Sequence, residues 1–185
     1  MEYIEGTGKQ WVRSGIILDG STLIIELTAT FNVTLEEKDL LGSVITPGIA
    51  GDFVIGYYNY DKVFLYNKPH SNVIISTARG EQTREIRAVL SENTRTLRVD
   101  DSESSAAGYT PNNEEIVIFR GGPSYIPSSM KLHDIRMYQD GRLAVDAIPV
   151  VKDEIACLYD RVSRQLMMNQ GDGDFIAGPE KNNPE

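Results

Sequence analysis

Aromatic residues crowd one short segment of the chain, between positions 57 and 66. Exposed tyrosine rings can stack on the apolar faces of sugar rings, and side-chain amides can hydrogen-bond to sugar hydroxyls. The candidate ligand-binding residues are therefore Tyr58, Asn59, Tyr60, Tyr66 and Asn67. The alternative is that Phe53, Ile55 and Tyr57 fill a core and that the remaining aromatics are ordinary residues of a β-sheet.

Acidic clusters give a weaker indication of metal chemistry. Asp172 and Asp174 offer oxygen ligands, as does the cluster of Asp100, Asp101 and Glu103, but neither group has the spacing of an EF-hand. Calcium is the one cofactor that the sequence leaves open, beside the alternative that both segments are turns. No Cys/His cluster indicates zinc.

The single cysteine, Cys157, lies in an apolar run and cannot form an intramolecular disulfide. Free cysteines are among the most buried residues in proteins. We therefore expect Cys157 to be a small core residue and not a nucleophile.

The charge distribution argues against two classes of partner. The chain has 18 lysines and arginines against 27 aspartates and glutamates, which gives a net charge of −9 spread along the sequence. Binding to a phosphate backbone or to an anionic membrane surface needs clustered positive charge. No run of 18 apolar residues is present either. We expect no nucleic-acid partner and no membrane insertion.

β-Strand patterns recur along the chain, bounded by turn-forming residues. The segments that predict strands are 22–31, 52–58, 62–66, 83–90, 95–100, 115–119, 132–138 and 143–148. Asp140-Gly141 predicts a tight hairpin, and residues 91–94 predict a second one. Pro149 is expected to limit the extension of the strand predicted over 143–148. Segment 34–41 differs, because Thr34 and Glu37 have capping-box spacing; it is either a helical turn or a polar loop.

Many short strands without a long helix predict an all-β sandwich or barrel and exclude a parallel, doubly wound sheet. The patterns contain no internal repeat and no second domain. We therefore expect one domain over residues 1–178, followed by a polar C-terminal tail over residues 179–185.

The two ends of the chain carry a more specific signal. Residues 3–16 read YIEGTGKQWVRSGI, residues 131–150 read KLHDIRMYQDGRLAVDAIPV, and EIACLYDRV and GDGDFIAG follow. These blocks resemble, in order and spacing, laminin G-like domains of the concanavalin A-like superfamily, of the type found in gut bacterial surface proteins and bacteriophage virion proteins. The resemblance implies a two-sheet antiparallel β-sandwich of the jelly-roll kind, in which the last strand brings Phe175 and Ile176 beside the N-terminal strand.

The same superfamily includes glycosidases that carry the strand motif E-x-D-x-x-E. This chain lacks that motif, because Glu37-Lys38-Asp39 is followed by Gly42 where the third acid would stand. Glu114 and Glu115 are adjacent and would face opposite sides of a strand. Retaining hydrolysis needs two carboxyl groups about 5.5 Å apart. We expect no enzyme activity; a glycoside hydrolase without the usual motif is the second alternative.

Two uses of such a domain fit the sequence. The first is a structural phage protein, a capsid decoration or tail-associated component, because the chain begins at Met1 with no export signal. The expected location is then the virion, with other virion proteins as partners and many copies in one assembly. It would bind carbohydrate or host surfaces weakly. The alternative is a lectin-like carbohydrate-binding domain on a bacterial cell surface.

Overall fold

The computed structural model describes residues 1–31, 37–42, 51–58, 61–78, 80–120 and 130–180, with the backbone alone described for 37–42 and for Tyr58. The described residues form sixteen β-strands and no helix, and so contain no helix that could span a membrane. The strands are β1 (Ile4–Glu5), β2 (Val12–Ile17), β3 (Leu23–Phe31), β4 (Glu37–Gly42), β5 (Phe53–Tyr58), β6 (Lys62–Asn67), β7 (Val73–Ser76), β8 (Thr83–Ser91), β9 (Thr94–Val99), β10 (Ser102–Ala107), β11 (Glu115–Ile118), β12 (Met130–Gln139), β13 (Arg142–Lys152), β14 (Ile155–Asp160), β15 (Gln165–Met167) and β16 (Ile176–Ala177).

The strands form two antiparallel sheets. The larger has the order β10-β9-β8-β3-β12-β13-β14-β15, and β1 joins it by pairing with β12 and with β16. The smaller has the order β2-β11-β4-β5-β6-β7. The fold is therefore the antiparallel β-sandwich that the sequence predicts.

Alternation of apolar and polar residues determines which face of each strand is buried. In β2 the buried and exposed residues alternate strictly, and β6 and β9 alternate in the same way. Successive side chains of a strand point to opposite faces, so each strand gives one side to the core. Both sheets contribute to one buried cluster, in which the rings of Phe31 and Tyr57 stack with centroids 4.7 Å apart.

Several local predictions are confirmed. Asp140 and Gly141 have φ angles of 48° and 76° and connect β12 to β13, as expected for a type I′ hairpin turn. Strand β16 pairs with β1, and Phe175 is buried against Phe119. Cys157 is fully buried.

Two local predictions are wrong. Of the segment 34–41, residues 34–36 lie outside the described residues, and residues 37–42 form strand β4, neither a helical turn nor a loop, because they pair with β5 and β11. Strand β13 also continues past Pro149 to Lys152. Its pairing with β12 ends at Ala147, so residues 148–152 pair only with β14 among the described strands. A proline is tolerated where one side of a strand has no partner.

Candidate functional site

The outward face of the larger sheet holds an open groove of about 490 Å³. It lies over four adjacent strands, β9, β8, β3 and β12. Its lining is mainly charged and comprises Glu26, Leu27, Thr28, Glu85, Ile86, Arg87, Arg98, Asp134 and Arg136. The buried residues of the same strands point to the opposite face, into the core.

A row of charged residues crosses this face at right angles to the strands. The pairing register places Glu103 opposite Arg98, Arg98 opposite Arg87, and Arg87 opposite Glu26. It continues from Glu26 to Arg136 and from Arg136 to Asp146. Residues directly opposite each other in an antiparallel pair project to the same side, so these six side chains share the outward face.

Ion pairs connect parts of this charged row. Arg87 Nε lies 3.2 Å from Glu26 Oε1, and Arg136 Nε lies 3.5 Å from Asp146 Oδ1. Arg161, at the turn after β14, donates to the same Asp146 oxygen at 2.7 Å, and this hydrogen bond together with the charge of Asp146 raises the pKa of Arg161. At this end of the row, two cations share one carboxylate.

The opposite end of the row differs. Arg98 is exposed and donates from Nε to the backbone oxygen of Asp100 at 2.9 Å. It forms no ion pair with any residue that the structure describes, although Glu103 lies across from it in the register. Its two terminal amino groups therefore remain available to a ligand.

A less polar row runs beside the charged one, two residues along each strand and so roughly 7 Å away. The register pairs Thr96 with Val89, Val89 with Ile24, and Ile24 with Tyr138. Val89, Ile24 and Tyr138 are all partly exposed. This row provides an aromatic ring and two aliphatic side chains next to the charges of the groove.

A third row completes the groove on the other side of the charged one. Thr28 lies between Glu85 and Asp134 in the register. Asp100 accepts a hydrogen bond from Arg84 at 2.7 Å and another from the backbone N–H of Glu85 at 3.0 Å. The outward face thus presents hydroxyl, carboxylate and guanidinium groups at regular spacing.

The structure describes only part of the candidate set predicted from the sequence. Asn59 and Tyr60 lie outside the described residues, and Tyr58 is described in its backbone alone, opposite Lys62. Tyr66 lies opposite Val54, four residues along β6 from Lys62, and is half-buried. Burial and the charge of Asp52 raise the pKa of Tyr66. Residues 58 and 66 therefore mark opposite ends of the β5–β6 pair, roughly 13 Å apart.

Asn67 does not have the exposed position expected for a group that reads sugar hydroxyls. It is fully buried, and its amide oxygen accepts the backbone N–H of Thr110 at 2.8 Å. Its amide nitrogen donates to the backbone oxygen of Thr110 at 2.9 Å. Since these contacts occupy the amide, we do not include Asn67 in the candidate site.

The acidic residues and the cysteine that the sequence singled out lie outside the lining of the groove. Asp172 and Asp174 are exposed, and no group of three or more His, Cys, Asp or Glu residues there could hold a metal ion. Glu115 binds Arg13 at 3.0 Å and the N–H of Gly15 at 2.8 Å. Burial raises the pKa of the Cys157 thiol, which opposes formation of a nucleophilic thiolate.

No protein-family model and no curated protein matches the sequence. Solved structures do match. A Bacteroides ovatus protein described as carbohydrate-binding has a TM-score of 0.63 at 9% identity, over 92% of this chain and 59% of that one. The CBM40 domain of Ruminococcus gnavus IT-sialidase, bound to α2,3-sialyllactose, has a TM-score of 0.60 at 11% identity, over 75% of this chain and 90% of that one.

A third match is to an enzyme. A Trypanosoma rangeli sialidase mutant with trans-sialidase activity has a TM-score of 0.52 at 15% identity, over 67% of this chain and 21% of the enzyme. The chain thus spans about a fifth of that sialidase and three fifths of the B. ovatus protein. At these identities the likeness establishes the fold alone. The chain has an antiparallel β-sandwich fold similar to that of carbohydrate-binding domains.

Proposed function

We propose that this chain is a non-catalytic carbohydrate-binding module and that it binds glycans on the outward face of the larger sheet. The groove over β9, β8, β3 and β12 carries the proposal, because it has charged and hydroxyl groups and a partly exposed apolar row lies beside it. Sugars present hydroxyls in fixed directions and apolar C–H faces, so a surface of this composition suits them.

The proposal that the module is non-catalytic rests on the sequence, which lacks the paired-acid strand motif of related glycosidases. It is tested separately from binding. The purified chain should release no reducing sugar or sialic acid from the glycans it retains. Turnover that disappears when one groove carboxylate is changed, for example in Glu26→Gln or Asp134→Asn, would replace the binding module with a glycoside hydrolase.

Binding should be weak at a single site and strong when many copies are displayed together. An open groove on a sheet buries little of its ligand, whereas multivalent display makes the second contact effectively intramolecular, so avidity rises by about 100-fold or more. A glycan array probed with the chain displayed on beads is therefore the first experiment. Absence of binding to every glycan, even on beads, would exclude the proposal.

The smaller sheet offers a second candidate site for the same function. Phe64 and Tyr66 lie on the outward side of β6, and Ile74 of β7 is 40% exposed opposite Phe64. This surface contains Tyr66, the described member of the aromatic segment that the sequence proposes as a binding site. It has fewer described polar groups than the groove.

A matched pair of tyrosine substitutions distinguishes the two surfaces. Tyr138→Ala removes the aromatic ring beside the groove, and Tyr66→Ala removes a ring of similar exposure from the smaller sheet. We expect Tyr138→Ala to lower the affinity and Tyr66→Ala to leave it unchanged. The opposite result would retain carbohydrate binding and move the site to the aromatic segment.

The setting in which the module acts is proposed from the sequence resemblance alone. The setting that we propose is a phage virion, with many copies of the chain in one assembly, and the alternative is a bacterial cell surface. Detection of the chain in purified virions by mass spectrometry would support the first setting, and recovery from a bacterial envelope fraction would support the second.

A further inference from the structure

Two cations face each other without an intervening acid on the outward face of the larger sheet. Arg87 of β8 and Arg98 of β9 are direct partners in the register, and both project from the same side of the hairpin. Like charges directly opposite each other in a β-sheet destabilise it. An anionic group bound between Arg87 and Arg98 would therefore reduce the repulsion between them.

The protein itself compensates only one of the two charges. Arg87 uses Nε to bind Glu26, and Arg98 uses Nε to bind a backbone oxygen. The terminal amino groups of both residues make no hydrogen bond to the described part of the chain. Two arginines at directly opposite positions of the β8–β9 hairpin thus keep their terminal donors unused within the described part of the chain.

The surrounding acids do not fill this gap. Glu26 is engaged by Arg87, and Asp146 is engaged by Arg136 and Arg161. Glu103 lies opposite Arg98 in the register, and Glu85 lies two residues before Arg87 on β8, yet neither forms an ion pair with these arginines among the described residues. Arg98, at the β8–β9 end of the groove, therefore has no ion-pair partner among the described residues, in a chain whose net charge is −9.

We infer that Arg87 and Arg98 together bind the carboxylate of an acidic sugar residue. This inference rests on the proposed carbohydrate-binding function and names the class of glycan. Guanidinium groups match a carboxylate geometrically, with parallel N–H donors to its two oxygens. Thr96 and Val89, two residues along the same strands, lie where the ring of that sugar would extend and offer a hydroxyl and an apolar contact.

The inference is tested by measuring the binding of three short glycans to the folded chain by NMR titration or on multivalent beads. The probes are 3′-sialyllactose, a glucuronate-containing oligosaccharide and lactose, which is neutral. We expect at least one acidic probe to bind at least about tenfold more tightly than lactose. Comparison of the two acidic probes shows whether the carboxylate comes from a sialic acid or from a uronic acid.

Three variants locate the effect. Arg98→Ala should abolish the preference for the acidic probe, and Arg98→Lys should restore it only in part, because lysine keeps the charge and loses the fork. Arg161→Ala is the matched control: it removes the same charge from a residue outside the groove lining, at the turn after β14 and roughly 24 Å from Arg98 across five strand spacings, and should leave binding unchanged. Since Arg98→Ala also relieves a like-charge contact, its melting temperature should not fall.

Three results would overturn the inference. Equal binding of lactose and the acidic probes, unaffected by Arg98→Ala, would leave the carbohydrate-binding function intact and exclude the carboxylate site. An equal loss of affinity in Arg161→Ala would indicate general electrostatic attraction instead of a built site. Absence of binding by all three probes and by the wider glycan array would exclude both this inference and the proposed function.

Discussion

The side-chain amide of Asn67 pairs with both backbone groups of Thr110: its oxygen accepts the Thr110 N–H at 2.8 Å, and its nitrogen donates to the Thr110 oxygen at 2.9 Å. The same nitrogen lies 3.3 Å from the oxygen of Gly51. A side-chain amide has the same donor and acceptor as a peptide group. Asn67 therefore makes the two hydrogen bonds to the loop after β10 that a neighbouring strand would otherwise make. It connects strand β6 to a segment 43 residues away in the sequence.

Removal of the Asn67 amide should therefore affect stability. In Asn67→Ala the two partly buried backbone groups of Thr110 lose their partner, and each unsatisfied group costs about 1–3 kcal/mol. We expect the free energy of unfolding in urea to fall by about 3 kcal/mol. Asn67→Asp should also destabilise, because an oxygen would then face the Thr110 carbonyl.

Asn93→Ala is a suitable control for this experiment, since Asn93 is exposed in the turn between β8 and β9. Its effect should stay within about 0.5 kcal/mol. A similar, small effect in Asn67→Ala would show that Thr110 does not depend on Asn67.

Part of the candidate site follows from the sequence, because a hairpin fixes its own register. The predicted turn at 91–94 becomes a Ser91–Thr94 pair, and each step back along β8 matches a step forward along β9. This counting brings Arg87 opposite Arg98 and Val89 opposite Thr96 without any further information. The like-charged pair could thus have been found before the structure was known.

The rest of the site depends on pairings between distant segments. Glu26 meets Arg87 and Arg136 through separations of 61 and 110 residues, and no local pattern specifies which outward residues of β3 oppose them. The same limit explains strand β4: the Thr34–Glu37 spacing favours a helical turn locally, but pairing of residues 37–42 with β5 and β11 prevails.

The Cys157 thiol should be unreactive in the folded protein. Cys157 is fully buried, and burial raises the pKa of its thiol, whereas thiol reagents attack the thiolate. We expect negligible labelling by a disulfide-exchange reagent at pH 8 and one thiol per chain after unfolding in guanidinium. Rapid labelling of the native protein would show that the core near β14 opens readily.

A buried arginine should be among the more sensitive positions of the fold. Arg95 is fully buried, and its guanidinium donates to the backbone oxygens of Ser71, Ala107 and Gly108. Arg95→Met fills part of the volume and leaves these oxygens without their donor. We expect a loss of about 3 kcal/mol in the free energy of unfolding, measured by urea denaturation. Arg142→Met, at an exposed position, is the matched control and should be close to neutral.

A glycine next to Arg95 tests the same region by a different mechanism. Gly108 has a φ of 86°, and a Cβ placed there would lie 2.3 Å from the His70 ring. Gly108→Ala therefore adds both backbone strain and a steric clash. It should lower the melting temperature, while Gly141→Ala, which has a positive φ but open space around it, should lower it less. Equal effects would indicate that backbone strain alone decides.

The ionised carboxylate of Asp160 should contribute to the stability of the folded chain, and this contribution should be lost at acidic pH. Burial alone would raise the pKa of Asp160. The carboxylate, however, accepts hydrogen bonds from the backbone N–H of Asp146 at 2.9 Å, from the Ser163 hydroxyl at 2.6 Å and from the backbone N–H groups of Ser163 and Val162. These hydrogen bonds outweigh burial, so the pKa of Asp160 is lowered. These bonds hold the turn that follows β14. A carboxyl group with a lowered pKa in the folded state stabilises that state only while it is ionised.

The stabilisation from Asp160 is complete above the unfolded pKa near 3.8 and is lost as the pH falls through the lower folded value. Asp160→Asn keeps the shape of the side chain and removes the charge, so its free energy of unfolding at pH 7 should be about 2 kcal/mol below that of the parent chain. The difference should shrink progressively as the pH drops below 3.8. Urea denaturation between pH 7 and pH 2 measures it, with the exposed Asp101→Asn variant as the control. A difference between Asp160→Asn and the parent that stayed constant over this range would show that the turn depends on the shape of residue 160 and not on its charge.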